Sequence, residues 1–267
     1  MNDDPQSTAS GAEEIVARSG SNLAYALKVL PREKRAAMAV FYAFCRVVDD
    51  IADDPDVAVD ARRTGLDRWR SLIRNEPVDP APREGIESEF REHCENYQLP
   101  ADTLLDNVAG VEMDISSESM RFANFDELRG YCYRVASAVG LASIEIFGYT
   151  DENCQDYAEK LGYAFQLTNI LRDVGQDGEE GRVYLPLDDL SRFGVDESAI
   201  LDRSAAGSPE FFDLMEFQCQ RAEDFYKAAT AALPDADRKS MRAAEVMRVI
   251  YSRILQRMKS DGFQVFE

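Results

Sequence analysis

Asp49 and Asp53 stand four residues apart in a run, residues 41–54, that contains neither Gly nor Pro. Around them Met38, Phe41, Tyr42, Cys45, Val48 and Ala52 recur at the spacing of a helix that buries one face. On such a helix the two carboxylates stack on one side. Asp49 also continues the stripe through Tyr42 and Cys45, which puts an acid on or beside the apolar face. A lone buried carboxylate costs several kcal/mol or takes up a proton, so a positive partner is expected there: Arg46, one turn back, or a divalent cation.

A second stretch, residues 161–177, has the same character. Gln166, Asn169, Asp173 and Asp177 share one helical stripe beside Tyr163, Leu167, Ile170, Leu171 and Val174. A polar stripe inside an apolar helix needs partners. Carboxylate and amide oxygens suit Mg²⁺, with Mn²⁺ as the alternative, a hard cation that commonly shares its shell with substrate phosphates. Arg172 and Arg182 would bring charge to phosphate oxygens.

Spacing alone is weak evidence in so acidic a chain. The same Asp-x-x-x-Asp pattern recurs at Asp50/Asp54, Asp56/Asp60 and Asp102/Asp106, and the last two pairs read as solvated faces or helix caps. At Asp49/Asp53 and Asp173/Asp177 the apolar flanks, the neighbouring arginine and the second copy favour metal over buried ion pairs. His93 is the only histidine, with Phe90 where a Glu-x-x-His di-iron motif needs Glu. It reads as an exposed helix residue, and a Ser/His/Asp triad loses plausibility with it. No Walker loop or G-x-G-x-x-G indicates a bound nucleotide.

The stripes need long helices to carry them. Residues 1–12 read as a disordered polar tail, and a helix from about residue 13 meets Ser19-Gly20-Ser21. Pro31 fits the first turn of the helix that ends at Pro55. Further helices are expected over 56–75, 84–97, 102–113 with Asp102 as N-cap, 125–147, 151–177, 187–192 closed by Gly194, 209–232 and 234–259. Residues 77–83 form a connection, 178–181 a break and 183–186 a short extended piece. No alternating strand pattern of useful length occurs, so the class is all-α, one domain over 13–267.

At 267 residues and 45% hydrophobic the chain can bury a sizeable core. A net charge of −20, from 30 basic and 50 acidic residues, argues against nucleic acid as a partner. Five cysteines without a C-x-x-C pair read as reduced thiols. With no apolar leader and no membrane-length run, a cytoplasmic protein is expected, at most peripheral to the inner face of a membrane.

At these residues the chain resembles the squalene/phytoene synthase family. The resemblance rests on Tyr42-x-x-x-Arg46-x-x-Asp49-Asp50-x-x-Asp53, residues 131–136, Gln166-x-x-Asn169-x-x-Arg172-Asp173-x-x-x-Asp177, and Gly181-Arg182-x-Tyr184-Leu185-Pro186. It implies a single-domain helical bundle of isoprenoid-synthase type enclosing a central cavity, and head-to-head joining of two prenyl diphosphates. It also implies that Asp49, Asp53, Asn169, Asp173 and Asp177 hold Mg²⁺, that Ser19, Ser21, Tyr42, Arg46, Asp50, Arg172 and Arg182 bind substrate, and that Tyr131 and Gln166 lie near the reacting carbons. Residues 110–114, 131–136 and 144–148 look most similar to bacterial presqualene diphosphate synthases of hopanoid pathways. Two departures, Asn22-Leu23-Ala24 where aromatics are usual and Ser137 where Gly is usual, are expected to touch the hydrocarbon cavity.

The expected reaction is condensation of two farnesyl diphosphates to presqualene diphosphate. Its rivals are phytoene or dehydrosqualene synthesis, squalene synthesis with NADPH, whose use stays open, and a non-catalytic isoprenoid or cation-binding protein. Phe41, Phe44, Tyr131, Phe165, Leu167, Ala136, Ala138 and Gly140 are candidates for cavity walls, with ordinary core packing equally compatible. Oligomeric state is not readable from the sequence.

Overall fold

The computed structural model describes residues 12, 25–81, 85–116 and 120–266; Ser19, Ser21, residues 22–24 and, apart from Ala12, the expected tail lie outside them. The described residues are helical with no strand. In order they form α1 (Arg32–Asp53), α2 (Val59–Ile73), α3 (Ile86–Tyr97), α4 (Ala101–Ser116), α5 (Phe125–Cys132), a π-helical turn (Tyr133–Ser137), α6 (Ala138–Phe147), α7 (Asn153–Glu179), α8 (Leu187–Phe193), α9 (Glu197–Leu201), α10 (Pro209–Ala232) and α11 (Arg242–Ser260). One apolar core runs from Leu27 to Phe263.

Local chemistry sets these boundaries. Pro31 caps α1 with φ −53°, one position earlier than the expected first turn, and Pro55 stops the helix just beyond Asp54. Asn124 accepts the Glu127 N–H to start α5, and the Glu127 carboxylate accepts the Ala123 N–H in return. Ser208 caps α10 ahead of Pro209. After α7, Gly181 takes φ +77°, which lets the chain double back so that the Arg182 N–H donates to the Asp177 carbonyl at 2.8 Å.

α7 is the central helix, packed by α10, the π turn, α6 and α11; α1 packs instead on α2, α3, α4 and α6. The space between these two sets is the cavity described below.

Four expectations change, and one helix is added. Asp102 lies inside the first turn of α4 rather than capping it. The expected helix over 125–147 is broken by the π turn, the last helix begins only at Arg242, and α9 was not anticipated. His93 is buried, 7% exposed, because Phe90, His93 and Tyr97 share the inner face of α3. Its ring lies 4.5 Å from that of Tyr97, and burial pushes its pKa down to about 4. All five cysteines are free.

Candidate active site

α1 and α7 bring their stripes to one space. An apolar cavity of about 290 Å³ is lined from α1 by Met38, Phe41, Tyr42, Cys45 and Asp49, and from α7 by Tyr157, Leu161, Phe165, Gln166 and Asn169. α6 contributes Val139, Gly140 and Phe147, and α11 closes a side with Ala243, Met247 and Tyr251. Asp49, Gln166 and Asn169 are thus the polar end of a hydrocarbon chamber. One turn further along both helices, Asp53 and Asp173 line an acidic cleft of about 380 Å³ with Asp177, Glu180 and Arg182.

The sequence left two partners open for Asp49, and the structure narrows them. The Arg46 guanidinium pairs with Asp50 at 2.7 Å on the solvent side, leaving Asp49 without an ion pair among the described residues. Burial, reinforced by Asp53, pushes the Asp49 carboxyl up to about 7 against the partial relief from Arg46. Asp177 shows the same pattern: burial and Asp173 raise it to about 7, with Arg182 in opposition. Arg172 binds its neighbour Asp173 through two hydrogen bonds, 2.7 and 2.6 Å long.

Asp114 and Tyr184 belong to this site and were not singled out as site residues from the sequence. Asp114, near the end of α4, accepts from the Tyr131 hydroxyl at 3.4 Å. Burial raises it to about 6, Arg182 opposes that rise and the Asp53 charge adds to it. Tyr184 stacks beside Tyr131 with ring centroids 5.5 Å apart, and Phe122 completes the cluster. The extended piece holding Tyr184 is tied to residues 120–123 by main-chain bonds such as Val183 N–H to the Met120 carbonyl, 3.1 Å. The sequence signals for Asp114 were the acids inside the mostly apolar residues 104–115 and the resemblance carried by residues 110–114.

Among the proposed walls, Phe41, Phe165, Ala136 and Gly140 line the cavity; Phe44, Leu167, Ala138 and Tyr131 do not. Phe44 instead stacks on Phe90 at 4.3 Å and meets Trp69 edge-on, inside the core. Tyr131 faces Asp114. Ser137 does not touch the chamber either: it is fully buried against α7, its hydroxyl donates to the Glu159 carbonyl at 2.8 Å, and a Cβ on Gly162 would collide with its backbone. The Ser137 departure therefore changes helix packing and not the cavity wall.

The donor set fits a hard cation. The Asn169 Oδ1 is buried without a hydrogen-bond partner, on the same helix face as Asp173 and opposite the unpaired Asp49. Both stripes supply oxygens only. No three acidic, cysteine or histidine side chains among the described residues are already gathered tightly enough to cage an ion by themselves. Mg²⁺ takes one or two carboxylates and completes its shell from phosphate and water.

The comparisons with known proteins match this geometry. The squalene/phytoene synthase family model covers residues 16–267. The chain belongs to the squalene/phytoene synthase family. It is 34% identical over 257 residues to a phytoene synthase of Mycobacterium tuberculosis, covering 96% of this chain and 83% of that one. It is 33% identical over 266 residues to the presqualene diphosphate synthase of Zymomonas mobilis, covering 98% and 86%. Among solved structures, a dehydrosqualene synthase in complex with ligand superposes with a TM-score of 0.82 at 27% identity, over 96% and 87% of the two chains. A squalene synthase from Alicyclobacillus acidocaldarius shares the fold, with a TM-score of 0.77 at 24% identity over 95% of each chain. Squalene/phytoene synthase family members are prenyltransferases that condense prenyl diphosphates, and this chain is one of them.

Proposed function

We propose that the chain condenses two farnesyl diphosphates head to head into presqualene diphosphate, with Mg²⁺, in a pathway towards squalene and hopanoids. The observation that carries the reading is an apolar chamber whose polar end, at Asp49 and Asn169, lies one helical turn from the acidic cleft of Asp53 and Asp173. A prenyl diphosphate has that same division into hydrocarbon and anion.

Chamber length supports the farnesyl group. The lining on α1 runs from Asp49 back to Met38, about 16 Å at the helical rise. Phe147 closes the far end, since its carbonyl accepts from Lys34, one turn before Met38. A farnesyl chain, with about twelve carbons in its main run, spans roughly 15 Å; a geranylgeranyl chain is about 5 Å longer and has to fold back.

Asp49, Asp53, Asn169, Asp173 and Asp177 would hold Mg²⁺, and Mn²⁺ has the same donor preference. Held by these residues, the ion would supply the charge that neutralises diphosphate as a leaving group. Arg172 and Arg182 donate N–H groups to diphosphate oxygens, with Tyr42, Arg46, Asp50 and Gln166 completing the substrate contacts. As the first C1–O bond breaks, Phe41 and Phe165 keep water from the allylic cation. The double bond of the second chain attacks C1, and transfer of one proton to the released diphosphate or to a tyrosine closes the cyclopropane. Tyr131, held on Asp114 beside Tyr184, orients the reacting end.

The 34% identity to phytoene synthases favours a second reading, condensation of the longer geranylgeranyl group. Purified protein with Mg²⁺ and either diphosphate, with and without NADPH, is assayed by mass spectrometry. Presqualene diphosphate formed without NADPH is the expected result. Phytoene from the longer substrate as the dominant product would overturn the farnesyl assignment, and squalene appearing only with NADPH would extend the reaction by a reductive step.

A further inference from the structure

The charge of this chain is unevenly placed. Residues 238–259 hold seven of its 30 basic side chains and only one, Glu245, of its 50 acidic ones. Residues 28–35 hold four more basic side chains against Glu33 alone. The two segments meet in space, because the 3₁₀ turn Leu27–Val29 packs on α11. Arg238, Arg257 and Lys259 pair with Asp235, Asp261 and Glu216, and the remaining basic side chains still make this a locally cationic face in a protein of net charge −20.

The same face exposes apolar groups. Tyr25 is 64% exposed, Val29 47% and Val249 40%, three of the six large hydrophobic residues that are exposed among the described residues. Lys28 sits over the Tyr25 ring at 5.7 Å. On α11, Arg242, Val246, Val249 and Arg253 follow at four, three and four residues, one outward stripe with arginine at each end of an apolar window. Arg32, Arg35, Arg242 and Arg253 are exposed and have no acidic partner among the described residues, whereas the inward-turned Arg248 pairs with Glu245. The opposite face of α11, through Ala243, Met247 and Tyr251, is a wall of the hydrocarbon chamber.

We infer that the face formed by the Leu27–Val29 turn and the outer stripe of α11 docks on an anionic lipid surface. Basic residues ringing exposed apolar ones fit a negatively charged headgroup layer, with the valines and Tyr25 entering its outer edge. No helix among the described residues is long and apolar enough to cross a membrane, so the contact is with the surface. A single helix thickness then separates the chamber from the bilayer. Resting on the proposed condensation for what passes through it, that wall gives an apolar product an exit that avoids bulk water. Docking itself is read without turnover.

The test is co-sedimentation of the full chain with vesicles of phosphatidylcholine containing about one third phosphatidylglycerol, against vesicles of phosphatidylcholine alone. Binding is expected only to the anionic vesicles at 0.1 M salt and to be released at 0.5 M. Arg242→Gln with Arg253→Gln lowers the partition coefficient about 25-fold, and Val249→Asp lowers it comparably. The control pair Arg74→Gln with Arg91→Gln, on another face, leaves it unchanged. Arg74, Arg242, Val249 and Arg253 are exposed and Arg91 is half-buried, and unchanged melting curves confirm folding. No sedimentation of the parent chain with anionic vesicles, or equal loss in the control pair, would overturn the inference. So would a dimer in solution that Val249→Asp dissociates in a chain that ignores vesicles, which would assign the face to a second copy.

Discussion

The Tyr131 hydroxyl stands 3.4 Å from Oδ1 and 3.5 Å from Oδ2 of Asp114, so one phenol addresses both oxygens of a desolvated carboxylate. Asp114 in turn feels Arg182 on one side and Asp53 on the other. It links the tyrosine cluster to the acidic cleft. Asp114→Asn is expected to lower kcat about 10- to 100-fold, and Tyr131→Phe about tenfold, with melting temperatures kept within a few degrees. Steady-state kinetics with farnesyl diphosphate, alongside thermal melts, measures both; full activity in Asp114→Asn removes that residue from the site.

Asp49 poses a conflict between stability and activity. It is desolvated and its nearest cation, Arg46, is engaged with Asp50. Asp49→Asn keeps the shape and removes the charge. The metal-free protein should gain on the order of 1–2 kcal/mol in urea unfolding, while turnover falls about 100-fold or more. Loss of both stability and activity would assign Asp49 to structure.

Because no three candidate ligands are pre-gathered, metal and diphosphate should bind as a pair. Mg²⁺ alone or inorganic diphosphate alone is expected to shift Tm by less than about 2 °C, and the two together by about 5–10 °C. EDTA abolishes the joint shift. Equal shifts from Mg²⁺ alone would show a cage complete without the substrate.

Phe147 lines the chamber and, on the proposed reading, limits its length. Phe147→Ala is expected to destabilise by about 3 kcal/mol and to raise the kcat/KM ratio for geranylgeranyl over farnesyl diphosphate about tenfold. Competition of the two substrates in one vessel, with products read by mass, gives the ratio directly. An unchanged ratio places the length limit elsewhere.

The buried imidazole of His93 makes stability depend on pH. Its folded pKa is about 4, below the 6.5 of a free histidine, so the unfolded chain binds the proton more readily in between. The contribution is fully present above pH 6.5 and is lost as pH falls towards 4. Between pH 7.5 and 5 it amounts to about 2 kcal/mol. Urea titrations at both values compare the parent chain with His93→Leu, in which this part of the loss is absent.

The two polar stripes were legible because α1 and α7 are long, uninterrupted and strongly periodic, so a polar group out of place shows at once. Asp114 was not, because it sits on a different helix from both stripes, and its meaning comes from Tyr131, Tyr184 and Arg182, which two further segments deliver. His93 was misjudged because α3 is polar overall; the few apolar residues that set its inner face, Phe90 above all, are easily outvoted in a composition count. Phe44 and Phe41 are indistinguishable as sequence, yet three residues, about 60° of separation around the helix, send one into the core and the other to the cavity.

That angular sensitivity gives the Tyr133–Ser137 turn its consequence. A π turn carries one residue more than an α-helix would hold over the same rise. Upstream, α5 aims Tyr131 at Asp114; downstream, α6 aims Gly140 at the chamber. Deleting a single residue from the turn would rotate everything beyond it by about 100°, and only one of the two alignments would survive. The wide turn is a phase shifter in an otherwise continuous rod, setting the angle between the face that handles charge and the face that handles hydrocarbon.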